Sequence, residues 1–65
     1  MEILVWNARN KKGYTLKQLA ELSGIPKSTI NNIENGLTSP TILQLEKLAK
    51  ALDVRINDLF ESDYK

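Results

Sequence analysis

The stretch "TLKQLAELSGIPKSTINNIENG", Thr15 to Gly36, carries the signals of two short helices joined by a tight turn. It opens on T-x-x-Q, a capping box in which the Thr and Gln side chains each accept a hydrogen bond from a free backbone N–H. Gly24 suits the end of the first helix, because glycine takes a positive φ at little steric cost. Pro26 suits the first position of a second helix, where its missing N–H costs nothing.

The second of these helices, which we place from Pro26 or Lys27 to Asn35, has a divided surface. At about 100° per residue, Ile30 and Ile33 fall on one side together with Glu34. The opposite side carries short side chains that both donate and accept hydrogen bonds, with a lysine at its N-terminal edge: Ser28, Asn31, Asn32, Asn35 and Lys27.

These outward residues favour the helical state less than the Glu, Lys, Arg, Gln and Ala that usually cover a solvated helix. They suit the major groove of DNA, which admits a helix and whose base edges present mixed donors and acceptors. The alternative interpretation is that tertiary packing simply tolerates Asn and Ser on an exposed helix. The spacing favours the first interpretation: the small Ala20 lets two helices cross closely, Gly24 makes the turn, and Ile30 and Ile33 fix the crossing, as a helix-turn-helix requires.

The rest of the chain also has helical spacing. A second T-x-x-Q, Thr41 to Gln44, predicts the start of a helix whose apolar face holds Ile42, Leu45, Leu48, Ala49 and Leu52 and which Asp53 ends. Val54, Ile56, Leu59 and Phe60 then indicate a short fifth helix. No segment alternates with a period of two, so we expect no strands. The predicted fold is a compact all-α domain of five helices over residues 1–65, with the helix-turn-helix at about 15–35.

Composition excludes several classes of protein. The 65 residues contain neither Cys nor His, which argues against an enzyme, a metal site or a cofactor. The longest early apolar run, Ile3 to Trp6, is too short for a membrane span, so we expect a cytoplasmic protein with no membrane partner and no small-molecule substrate. Residues 1–40 carry five Lys or Arg against three Asp or Glu, a mild basic excess that ordinary solubilising charge explains equally well.

The segment "YTLKQLAELSGIPKSTINNIENGLTSPTILQLEKLAKALDVRINDLF", Tyr14 to Phe60, resembles the lambda-repressor-like, Cro/CI-type helix-turn-helix family, also called the XRE family. This resemblance implies a five-helix bundle whose third helix lies in the DNA major groove, in one subunit of a homodimer on a palindrome. It also implies that Arg9 of the first helix pairs with Glu34 as a structural tie, so that Glu34 does not contact DNA.

The resemblance further implies a set of DNA-binding residues. Three of them read bases, Lys27, Ser28 and Asn32. The other six lie near base edges or the phosphate backbone: Thr15, Lys17, Thr29, Asn31, Asn35 and Thr38.

The chain departs from the family at several positions. Leu16, Pro26, Leu37 and Arg55 replace residues that are usually polar, capping or basic, which predicts fewer phosphate contacts, modest affinity and a shallow salt dependence. Leu37 and Leu43 flank one loop and suggest a surface for a dimer contact or a protein partner, although isolated exposed leucines are also ordinary. Two functions therefore stand: a repressor-type transcriptional regulator, bacterial or phage, on double-stranded DNA, or a protein-interaction module such as an antitoxin or adaptor.

Overall fold

The computed structural model describes residues 1–65 and consists of short helices with one very small sheet. The elements, in chain order, are β1 (Glu2–Ile3), α1 (Val5–Lys12), α2 (Leu16–Ser23), α3 (Lys27–Glu34), α4 (Ile42–Leu52), a 3-10 helix (Ile56–Leu59) and β2 (Phe60–Glu61). None of the helices is long and apolar enough to cross a membrane.

Both predicted capping boxes are confirmed, and they explain where α2 and α4 begin. The Thr15 hydroxyl accepts from the Gln18 N–H at 3.1 Å, while Gln18 Oε1 accepts from the Thr15 N–H at 2.8 Å. Thr41 and Gln44 repeat this arrangement at 3.1 and 2.9 Å. Each box satisfies backbone donors that the first turn of a helix leaves free.

A single apolar core lies among the four α-helices and the 3-10 helix. Its ten buried residues are Val5, Leu19, Ile25, Ile30, Ile33, Leu45, Leu48, Ala49, Leu52 and Leu59. Helix α2 packs against both α3 and α4, and the inward isoleucines of α3 are buried in the core that these helices share. The core therefore fixes which face of α3 points outward.

Two apolar residues of the helices are exposed: Leu22 of α2, and Ile42 of α4, which its spacing assigns to the apolar face of that helix. The inward face of α2 is formed by Leu16, Leu19, Ala20 and Ser23, and Leu22 lies about 110° from its centre. Ile42 occupies the first position of α4, beyond the edge of the core, and burial on that helix begins one turn later at Leu45.

The prediction of five helices without strands is wrong at both ends of the chain. The last helix is a four-residue 3-10 helix, and β1 pairs antiparallel with β2, with Glu2 opposite Glu61 and Ile3 opposite Phe60. The i, i+3 spacing of Ile56 and Leu59 suits a 3-10 helix as well as an α-helix. Strands of two residues are too short to show an alternating pattern. Pro26 also differs slightly from its prediction, since it is the N-cap of α3 and not its first residue.

Candidate nucleic-acid interface

The turn between α2 and α3 is built around Gly24. Its φ of 75° lies in the left-handed region, and its N–H donates to the Ala20 carbonyl at 2.9 Å. The Ser23 hydroxyl accepts from the N–H of Ile25, whose side chain then enters the core. Ala20 is half-buried and packs against the core, and α2 contacts α3 directly.

Helix α3 is held from one side only. Ile30 and Ile33 are fully buried, and together with Ile25 they occupy the space beneath the helix. The side chains of Lys27, Ser28 and Asn31 are exposed, and those of Thr29 and Asn32 are half-buried. Polar groups thus project from α3 on the side away from the core, as the spacing of about 100° per residue predicts.

Most of these outward groups have no partner within the chain. Lys27 forms no ion pair, and the side chains of Ser28, Thr29 and Asn32 take part in no hydrogen bond. The exception is Asn35, whose Nδ2 donates to Oδ1 of Asn31 at 3.1 Å. This pair is not among the sequence predictions, although the i, i+4 spacing of two asparagines is the signal for it. The arrangement leaves donors and acceptors free for an external partner.

The start of α2 supplies further free donors. Thr15 is its N-cap, and the backbone N–H groups of Leu16 and Lys17 have no acceptor within the chain. The N-terminal end of a helix favours an anion, both through these N–H groups and through the helix dipole. Lys17 is exposed beside them, whereas Leu16 is partly buried and packs against the core. This buried position explains the apolar residue at Leu16.

The loop after α3 presents two more of the predicted residues. Asn35 is the C-cap of α3, and Gly36 follows with a φ of 74°. The Leu37 N–H donates to the Asn32 carbonyl at 2.9 Å, so the loop folds back on the last turn of α3. Asn35 and Thr38 are both exposed there.

An ion pair joins α1 to the C-terminal end of α3. Arg9 Nε donates to Glu34 Oε2 at 2.8 Å and Arg9 Nη2 donates to Glu34 Oε1 at 3.0 Å, while the side chains are only 11% and 3% exposed. The hydrogen bond with Glu34 raises the pKa of Arg9 above its ordinary value, against the opposing effect of burial. Arg9 Nη1 also donates to the Tyr14 carbonyl at 2.9 Å, a contact that no sequence pattern predicts. Glu34 therefore points into the domain and not toward an external ligand.

The fold and this surface define the class of protein, a predominantly helical domain with a helix-turn-helix formed by α2 and α3. A helix-turn-helix family model matches residues 7–59, and the chain belongs to this XRE-type family.

The relatives found are HTH-type transcriptional regulators. SinR of Bacillus subtilis is 41% identical over 58 residues, which cover 88% of this chain and 52% of SinR. SinR of Bacillus licheniformis is 46% identical over 52 residues, covering 78% of this chain and 47% of that protein. A regulator of Methanothermobacter thermautotrophicus is 34% identical over 64 residues, which cover 97% of this chain and 93% of that protein. The chain thus spans about half the length of the SinR relatives that it matches.

Solved structures have the same fold. The restriction-modification controller protein C.AhdI of Aeromonas hydrophila superposes with a TM-score of 0.83 at 34% identity, over 86% of this chain and 85% of that one. The N-terminal DNA-binding domain of SinR from Bacillus subtilis superposes with a TM-score of 0.81 at 37% identity, over 94% of this chain and 90% of that one. SinR in complex with DNA superposes with a TM-score of 0.78 at 41% identity, over 82% of this chain and 86% of that one.

Proposed function

We propose that this chain is a sequence-specific DNA-binding transcriptional regulator of repressor type, which acts in the cytoplasm as a homodimer on a palindromic operator. The observation that carries the proposal is the outward face of α3, whose amide, hydroxyl and ammonium groups are largely unpartnered while its isoleucines hold it from beneath. The similarity to SinR, a DNA complex of which has been solved, supports the same conclusion.

In this proposal α3 lies in the major groove with its N-terminal part against the base edges. Lys27 and Ser28, in the first turn, contact bases, and Asn32 contacts them one turn later. Lysine recognises the acceptors of guanine, and asparagine pairs with adenine through one donor and one acceptor. Thr29 and Asn31 lie at the margins of the same contact.

The phosphate backbone is bound at two places in this proposal. Thr15 and Lys17 meet one phosphate at the start of α2, where free N–H groups and the helix dipole add to the lysine charge. Asn35 and Thr38 meet another from the loop after α3. Such contacts position the domain, and the base contacts of α3 specify the sequence.

The test is selection of binding sites from a random DNA pool, followed by anisotropy titrations on the selected operator. Asn32→Ala and Lys27→Ala should each weaken binding about tenfold or more and relax the preference at one base position. Asn57→Ala and Lys50→Ala remove the same exposed residue types outside the proposed interface and serve as matched controls. If both interface variants keep the affinity and the base preference of the parent, the assignment of α3 fails.

A second candidate function, a protein-interaction module, is favoured by one apolar surface. Leu37, Ile42 and Leu43 are 72%, 71% and 59% exposed and lie around one loop, although isolated exposed leucines are ordinary. Under this function the double variant Leu37→Ala with Leu43→Ala should abolish the association between copies of the chain that sedimentation equilibrium measures. Its affinity for a DNA half-site should not change. Leu22→Ala, at another exposed leucine, is the control. If the double variant alters only solubility, this function loses its support.

A further inference from the structure

We infer that Asn35 is a positioning residue that orients the side-chain amide of Asn31, so that Asn31 presents N–H donors to the DNA and selects an acceptor-rich base edge, above all that of guanine. The inference rests on the proposed function and adds to it a specificity-determining pair within α3 and its cap.

The geometry is that of two exposed amides one helical turn apart. Asn35 Nδ2 donates to Asn31 Oδ1 at 3.1 Å, which turns the Asn31 oxygen toward Asn35 and leaves both Asn31 Nδ2 hydrogens unpartnered. On the helical wheel these two residues and Ser28 lie within about 60° of one another, on the side opposite Ile30 and Ile33. The oriented amide is therefore part of the face that the proposal places against the bases.

The chemistry of the major groove then gives a preference. An asparagine pairs with adenine by accepting from N6 and donating to N7, whereas guanine offers two adjacent acceptors, N7 and O6. The hydrogen bond from Asn35 turns the Asn31 oxygen toward the C-terminal end of α3, which leaves the Nδ2 hydrogens as the groups better placed to meet a base edge. A side chain that turns its N–H groups toward the DNA matches guanine, and we expect about a tenfold preference for guanine over adenine at the contacted position.

The test is a pooled selection with the parent and three variants. Asn31→Ala identifies the contacted position as the one whose base preference it removes. Asn35→Ala should relax the preference at that same position, because Asn31 is then free to rotate its amide. Asn35→Asp should shift the preference toward adenine or cytosine, since a carboxylate only accepts and turns the Asn31 oxygen toward the DNA. Ser39→Asp, in the same exposed loop, controls for the added negative charge.

The outcomes separate this inference from the proposed function. If the parent selects no motif, the proposed function fails. If the parent selects a motif but Asn35→Ala lowers affinity equally for all sequences and leaves base preferences intact, Asn35 is a plain phosphate contact and the inference is overturned. A motif that Asn31→Ala leaves unchanged overturns it as well. Circular dichroism confirms that each variant is folded, which the exposed positions of both asparagines lead us to expect.

Discussion

Glu34 is a charged residue on the proposed recognition helix that belongs to the fold and not to the interface. Its carboxylate accepts two hydrogen bonds from Arg9, and the same guanidinium donates to the carbonyl of Tyr14. One side chain of α1 therefore fixes both the end of α3 and the turn before α2. A planar guanidinium provides this geometry, which the ammonium of lysine does not reproduce.

Removing one partner of this pair should destabilise the domain strongly. Glu34→Ala leaves the buried guanidinium of Arg9 without its carboxylate partner, and we expect the free energy of unfolding to fall by about 3 kcal/mol. Urea denaturation followed by circular dichroism measures the change. Glu46→Ala, at an exposed glutamate of α4, should stay within about 0.5 kcal/mol of the parent.

A double variant shows whether the cost comes from the unpaired charge. Arg9→Met combined with Glu34→Leu removes both charges, and its loss should be smaller than that of Glu34→Ala alone. If Glu34→Ala were as stable as Glu46→Ala, the pair would be a surface contact of little energetic value.

At the scale of elements, α2 and α4 begin with the same capping box in nearly the same geometry, but only α2 lies in the proposed interface. The two threonines therefore form a natural pair for comparison. Each replacement by alanine should lower the free energy of unfolding by about 1 kcal/mol, because one backbone N–H loses its acceptor. Stability alone does not distinguish the two helices.

DNA binding should distinguish them. Thr15→Ala should also weaken binding to the selected operator, whereas Thr41→Ala should not. Thr15→Ser keeps a hydroxyl at the cap and should restore stability and binding together. Equal effects of the two alanine variants on the operator titration would show that the start of α2 has no special contact with phosphate.

Local chemistry predicts some elements of this chain well and others poorly. The caps at Thr15 and Thr41, the left-handed turn at Gly24 and the end of α4 at Asp53 follow from residues close together in the chain, and the structure confirms them. The pairing of Ile3 with Phe60 depends on residues almost sixty positions apart in the chain, so no local pattern announces it. Likewise, the exposure of Leu22 and Ile42 depends on how far the neighbouring helices extend, which spacing does not give.

At the scale of the whole molecule, the outward face of α3 was predicted from the direction of its side chains, because Ile30 and Ile33 require a core on one side. The tie through Arg9 and Glu34 followed from the family resemblance and is present. The contact of Arg9 with the Tyr14 carbonyl was not predictable, since it depends on the path of the backbone between α1 and α2. We propose that DNA is the partner that contacts the outward face of α3.

The electrostatics of the whole domain give a last prediction. The chain carries a net charge of +1, and Leu37 stands exposed in the loop between Asn35 and Thr38, where related proteins are expected to place a basic residue. Leu37→Lys should therefore add one neutralised phosphate per protomer. We expect tighter binding at low salt and a log–log salt slope that is steeper by about 0.9 per protomer.

Tyr64→Lys adds the same charge at a residue that is 98% exposed and lies outside both proposed surfaces, and it is the control. Because exposed charges separated by more than about 10 Å are largely screened at 0.1 M salt, a general increase in net charge should affect both variants alike and only weakly. A direct phosphate contact should steepen the slope for Leu37→Lys alone. Anisotropy titrations on the selected operator at several salt concentrations measure both slopes, and equal slopes would place the loop after α3 away from the DNA backbone.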